Sequence, residues 1–314
     1  MYIVTAGKAF NDIDAFGSAI AYTELLRKQG QEAQAVFIGA LNHSVTRLAL
    51  EQTNDYLSTY TPTLNDRFIY VDISDKEQFA FPKEPESKIV ELFDHHYGFE
   101  EYWKERLGEH AHLERVGAAA TLIWEAFKKH GYEKEISPGS ANLLALAIVQ
   151  NTLNFSSTET HERDLQAFEE LTPHLDMTVN WQQRYFQECA EAMEKDFATT
   201  LKNDTKRFER YVDEKTFIFS QLEVSEDPLK VLNRHKQEIH TYWQESPNTH
   251  RLINIADMAS KSSLLYSDDR DWLRGTINPL FTNHIQASDT WILVPIHQRK
   301  QILKLLQSIK HSHA

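Results

Sequence analysis

The sequence predicts an α/β fold: a parallel-sheet N-terminal domain followed by a smaller α/β C-terminal domain. Three observations point there. Short apolar runs alternate with amphipathic stretches through the first half. Several of those runs end at acidic residues. A polar stretch near Leu201–Thr205 then separates a helical region from a second set of strand and helix patterns. Domains are expected over residues 1–195 and 205–314, with that stretch as the linker.

Tyr2–Ala6 reads as the first strand, and a turn leads into a helix from Ala15 to Gly30. That helix carries Phe16, Ile20, Leu25 and Leu26 on one face and a glycine stop at its end. Ala33–Ile38 is a second strand and His43–Gln52 a second helix. Arg67–Ile73 and Lys88–Phe93 are two further strands. Helices follow over Gly117–Lys129, Pro138–Gln150 and His161–Leu171, with a long one from Val179. Beyond the linker, Arg207–Glu223 alternates like a hairpin, Asp227–Gln244 is helical, Arg251–Ile255 and Trp291–Val294 are strands, and Gln298–Lys310 is a closing helix.

The 314 residues are 41% hydrophobic and 25% charged, which suits a globular protein with a sizeable core. Cys189 is the single cysteine, so an internal disulfide is ruled out. The start, MYIVTAGKAF, lacks the basic and apolar regions of a signal peptide, and no run approaches a membrane span. A cytoplasmic protein without membrane partners is expected. The net charge of −13 disfavours long nucleic acids, whose phosphates are usually met by a basic face. Neither a phosphate-binding glycine loop nor a dinucleotide fingerprint is present.

The chemistry-bearing residues lie where the strands end. Asp12 and Asp14 stand between the first strand and its helix, a position that equally suits helix capping. Asp72 ends a later strand, and Asp94-His95-His96 follows the next. Ligands of parallel α/β sheets bind at such carboxyl ends. Carboxylates about 4 Å apart repel by roughly 4 kcal/mol at an effective dielectric of about 20. A converging cluster therefore calls for protons or cations, and mixed carboxylate and imidazole donors suit manganese, cobalt or similar ions. The aromatic run Tyr97, Phe99, Tyr102 and Trp103 reads as core packing before base stacking.

Asp12-x-Asp14-Ala15-x-Gly17-Ser18, Asp72 and Asp94-His95-His96 together resemble the DHH phosphoesterase superfamily. Val116–Thr121 and Asn151–Phe155, followed by Asp164, also resemble its segments. Lys206, the Asp227-Pro228 helix start and the tail from His297 to Gln301 are similar to the second domain of the manganese-dependent (family II) inorganic pyrophosphatases and their exopolyphosphatase relatives. The resemblance implies a hydrolase of phosphoanhydrides, with pyrophosphate or short polyphosphate as substrate, and an active site in the cleft between the two domains. It implies one or two ions of Mn2+, with Co2+ or Mg2+ as alternatives. Asp12, Asp14, Asp72, His95 and Asn151 take metal positions, Asp72 as the bridge. His96 faces the phosphate or the attacking water, Asp94 orients the site, and Lys8, Lys206, Arg299 and Lys300 meet the anionic substrate. A homodimer is compatible with the family.

The pattern departs from the family in three places. Lys8 stands where the pyrophosphatases have a histidine ligand, Asn151 where they have an aspartate, and Gln298 where an arginine is expected. These changes leave open fewer metals with Lys8 replacing one, a different phosphate substrate, or a phosphate-ligand-binding homologue without hydrolysis. A nucleotide or oligonucleotide phosphodiesterase is a further alternative. The glycine-rich C-terminal motif of the nuclease branches is missing.

Overall fold

The structure is a computed structural model and describes residues 1–81, 83–209, 215–247, 249–277, 284–287 and 290–312. It separates into two compact units. The first comprises residues 1–155 and 159–189, the second residues 156–158 and 190–314.

In the first unit the chain runs β1 (Tyr2–Thr5), α1 (Ile13–Lys28), β2 (Ala33–Val36), β3 (Arg67–Val71), β4 (Ile89–Asp94), α2 (Glu100–Leu107) and β5 (Ala111–Leu113). Then come α3 (Ala119–Lys129), α4 (Pro138–Asn151), α5 (Glu162–Leu171) and α6 (Trp181–Lys195), the last crossing into the second unit. The strands form one sheet in the order β2-β1-β3-β4-β5, and every pairing is parallel. Alternate side chains of these strands enter opposite cores, as the period of two requires. Val4, Ile69, Val71 and Phe93 pack with the apolar faces of α1, α3 and α4. Ile3, Phe68, Tyr70 and Leu92 pack with Phe79, Phe81 and Trp103 on the other side. Both faces being covered explains why the strands read as continuous apolar runs.

α1 and α4 approach closely because Gly17 lies between them. A Cβ there would stand 2.9 Å from the Leu143 carbonyl oxygen. The expected helix over His43–Gln52 is reduced to one turn, Arg47–Leu50, with Thr46 as its cap. The residues before it are drawn away: Phe10–Asn11 pairs with Ala40–Leu41, and Ile13 N donates to Ser44 Oγ at 3.0 Å.

The second unit contains α7 (Phe197–Asn203), β6 (Thr205–Phe208), β7 (Thr216–Val224), α8 (Pro228–Gln244), β8 (Thr249–Asp257) and β9 (Ser262–Tyr266). It continues with α9 (Arg270–Ile277), β10 (His284–Ala287), β11 (Thr290–Leu293) and α10 (Arg299–Ser312). Its sheet has the order β10-β11-β9-β8-β7-β6. β7 and β8 are parallel and the other neighbours antiparallel. Leu222, Val224, Ile253 and Ile255 form one core with α8, while Phe217, Phe219, Leu252 and Trp291 form another with α10.

The expected linker at Leu201–Thr205 is instead the end of α7 and the start of β6, with Leu201 fully buried. Asp196 caps α7 by accepting from Thr199 N, and Phe197 and Leu201 give the polar-looking stretch an apolar face. The hairpin expected over Arg207–Glu223 is present as β6 and β7, although residues 210–214 of it lie outside the described residues. No helix among the described residues is long and apolar enough to cross a membrane.

Candidate metal centre

The acidic residues and histidines of the first unit gather at the carboxyl ends of three adjacent strands, β1, β3 and β4. Asp12 is the N-cap of α1, its Oδ1 accepting from Asp14 N and Ala15 N, each at 3.0 Å. Capping and proximity to the cluster therefore coexist at this residue. Asp72 follows β3 directly, and its amide donates to Phe93 O at 2.8 Å. Its φ of 57° lies in the left-handed region, which Asp tolerates better than most residues and which recurs at functional sites.

Asp94 ends β4 and gathers three donors on one oxygen. Its Oδ1 accepts from His95 N at 2.8 Å and His96 N at 3.2 Å, and meets His96 Nδ1 at 2.8 Å. Burial alone opposes its charge, yet the imidazoles of His96 and His95 hold the carboxyl well below its ordinary range. Asp94 is thus an orienting anion that fixes the two residues after it.

His95 is buried and its Nδ1 donates to Val116 O at 3.1 Å. In the neutral ring that bond places the lone pair on Nε2, 3.3 Å from Asp72 Oδ1 and 3.9 Å from Asp14 Oδ2. His96 is half exposed, its Nδ1 3.8 Å from Asp72 Oδ1. Asp72, His95 and His96 can each offer one ligand atom, all within 4.8 Å of one another.

A cation fits this donor set. Asp72 Oδ1 is buried without a hydrogen-bond partner. Burial first, then the charges of Asp12, Asp14 and Asp94, push its carboxyl well above the usual carboxylate range. A buried acceptor facing an imidazole lone pair needs a proton or an ion between them. Mixed oxygen and nitrogen ligation suits manganese or a similar divalent metal.

Asp14 has a different setting. It is fully buried, and the Asp14 oxygens receive Ala119 N at 2.7 Å, Ala120 N at 2.8 Å, Asn151 Nδ2 at 2.6 Å and Ser18 Oγ at 3.3 Å. Ala118, the residue before α3, supplies no side-chain cap. Asp14 takes that role from α1, meeting the unpaired N–H groups and positive end of α3. Burial and the Asp12 charge still outweigh these donors and push its carboxyl up to about 7.

Other residues nominated from sequence have partners of their own within their units. Lys8 donates its ammonium to the Glu77 carbonyl on an exposed turn, not to Asp12, Asp14 or Asp72. A substitution of its charge for a metal is therefore not what the structure shows. Asp164 serves architecture: it accepts from Gly117 N, Thr121 Oγ1 and His161 N, closing the capping box of α5. Lys206 lies on the edge strand β6. Arg299 Nη1 donates to Asp204 O and Phe219 O within the second unit. The Lys300 side chain lies outside the described residues. Trp103 is fully buried and donates to Ser74 O at 2.7 Å, and Arg106 lies 3.5 Å over the Tyr102 ring, so these two members of the aromatic run are taken up by packing, whereas Tyr97 is exposed.

One residue was missed by sequence reasoning. Burial drives His43 down to about 4, against the pull of the Asp12 charge. The two-residue pairing of Phe10–Asn11 with Ala40–Leu41 and the bond from Asn42 N to Asn11 O help to bring this neighbourhood together, and contacts so short leave no periodic signal.

The model of the DHH family, N-terminal domain, matches residues 2–148. The chain carries a DHH-family domain. Every donor of the Asp72, His95 and His96 cluster falls within that domain. A probable manganese-dependent inorganic pyrophosphatase of Exiguobacterium sp. is 32% identical over 176 residues, 54% of this chain and 54% of its own. A protein of the same description from Bacillus licheniformis is 31% identical over 163 residues, 51% of each chain. The match thus spans about half the length of these curated relatives. The fold extends further: the structure of a putative family II inorganic pyrophosphatase from Methanococcus jannaschii superposes with a TM-score of 0.70 at 20% identity, covering 98% of this chain and 99% of that one.

Proposed function

We propose that this DHH-family chain is a metal-dependent hydrolase of a phosphoanhydride, with inorganic pyrophosphate or a short polyphosphate as substrate. The observation that carries the reading is the convergence of Asp72, His95 and His96 on one point at the strand ends, with the buried Asp72 Oδ1 left for a cation. The names of the curated relatives support manganese and pyrophosphate.

Asp72, His95 and His96 are the residues that would hold the ion. A bound divalent ion polarises a phosphoryl oxygen and lowers the pKa of water. The chain's own groups make the site ready for it. Val116 O fixes the His95 tautomer with Nε2 toward Asp72. Asp94 holds His96 at the solvent side of the cluster, where an anionic substrate enters. In the hydrolysis the oxygen of water bonds to phosphorus while the bridging P–O bond breaks. The water's proton passes to the departing phosphate or to solvent.

Phosphate release from pyrophosphate, tripolyphosphate and a short oligonucleotide, each with Mn2+, Co2+ or Mg2+, tests the reading. Release from the anhydrides supports it, and release of mononucleotides alone moves the assignment to phosphodiesters. Ligand binding without any hydrolysis marks a binding homologue, the alternative that Asn151 keeps in view.

A further inference from the structure

Asn151 sits at the end of α4, and its side-chain amide donates to Asp14 Oδ2 at 2.6 Å. An amide nitrogen carries two protons and no lone pair for a metal. The oxygen it meets also accepts from Ala119 N at 2.7 Å, and the other oxygen of Asp14 accepts from Ala120 N at 2.8 Å and Ser18 Oγ at 3.3 Å. A carboxylate offers about four lone-pair positions. Asp14 accepts from four protein donors, two on each oxygen. Two of those donors are the first N–H groups of α3, which has no cap of its own and would lose its satisfied end if Asp14 turned away.

The contrast with Asp72 decides the matter. Both carboxyl groups are buried in one cluster, but Asp72 Oδ1 has no hydrogen-bond donor and faces two imidazoles, whereas Asp14 is filled by donors on both oxygens. Lys8 contributes nothing to either, because its ammonium goes to the Glu77 carbonyl.

We infer that this chain binds a single divalent ion, at Asp72, His95 and His96, and that the Asn151 amide together with the start of α3 takes Asp14 out of metal ligation. Asn151 is a specificity-determining residue for metal number. The inference rests on the metal-dependent reading above and deepens it.

Metal-stripped full-length chain is titrated with Mn2+ alone, following stoichiometry by calorimetry and the ion's environment by electron paramagnetic resonance. The expected result is one ion per chain with the six-line spectrum of an isolated Mn2+. Asp72→Asn is expected to lose that ion. Asn151→Asp, which exchanges the amide donor for a further carboxylate, is expected to raise the stoichiometry from one to two and to give a broadened, spin-coupled spectrum. Two coupled ions in the unaltered chain overturn the inference, whatever the variants do. So does full Mn2+ binding by a folded Asp72→Asn chain. An Asn151→Asp chain that folds and still binds one ion overturns the role given to the amide. Should that variant not fold, the stoichiometry of the unaltered chain decides alone. The two claims also fail separately. One bound ion with no phosphate release removes the hydrolase reading and keeps the single site, whereas two coupled ions with rapid release do the reverse.

Discussion

Asp72 and Asp94 stand at the ends of neighbouring strands with opposite electrostatic settings, and that difference assigns their work. Asp72 is crowded by like charges and burial, whereas the imidazoles beside Asp94 stabilise its ionised form. Asp72→Ala is expected to abolish hydrolysis and Mn2+ binding while leaving the far-ultraviolet circular dichroism unchanged. Retained turnover would mean that the ion is held elsewhere. Asp94→Asn keeps the shape but weakens the hold on His96, and a loss of about 10–100-fold in kcat/KM is expected. His43 supplies a pH effect. Its protonation is depressed to about 4 in the folded chain, chiefly by burial. Between the ordinary histidine value near 6.5 and about 4, the unfolded chain binds a proton that the native one refuses, so this histidine's contribution to stability falls as pH is lowered through that window. The buried carboxyls of Asp14 and Asp72 contribute the opposite trend in metal-free protein, so the effect is read as a difference: in urea unfolding at pH 6.5 and pH 4.5, acidification should favour the His43→Gln chain more than the unaltered one. At this scale the sequence was informative where position in a pattern sufficed: acidic residues and a histidine pair after strands nominated Asp72, His95 and His96. It was silent where partners come from afar. Ser18 apart, the donors that fill Asp14 lie on α3 and at the end of α4, and nothing local to Asp14 announces them.

α1, α3 and α4 form the platform behind the cluster, and their spacing can be tested at Gly17. Replacement by alanine would gain about 1 kcal/mol of helix propensity. Its Cβ, however, would lie 2.9 Å from the Leu143 carbonyl oxygen, a backbone atom of α4 that cannot rotate aside. The clash wins, and a net loss of about 1–2 kcal/mol is expected, read as a lower Tm and a weaker Mn2+ affinity. An unchanged Tm would show that the two helices can separate at no cost. The long periodic elements were legible: α1, α4, α8 and the apolar strands β1, β3 and β4 announce themselves by spacing. β5 is three residues long, and β9 is buried at every position, so neither carries an alternation to read. The stretch taken for a linker failed for a different reason. Its lysine, asparagine, aspartate and threonine conceal Leu201, which with Phe197 buries one face of α7.

Across the whole molecule the candidate metal ligands Asp72, His95 and His96 all fall in the first unit. An ion that binds the native chain and not the unfolded one stabilises by mass action, about 2.7 kcal/mol at a hundred times its Kd. In calorimetry of the full chain, saturating Mn2+ should raise the unfolding temperature of the transition that Gly17→Ala lowers. A shift confined to some other transition would separate the ion from this unit. The central claim is metal-dependent cleavage of a phosphoanhydride at Asp72, His95 and His96, and phosphate release from pyrophosphate by metal-stripped protein tests it most directly. The account predicts no release until Mn2+ is restored, release on restoration, and none from Asp72→Ala under the same conditions. Release that persists in excess chelator, or that survives in Asp72→Ala, would contradict it.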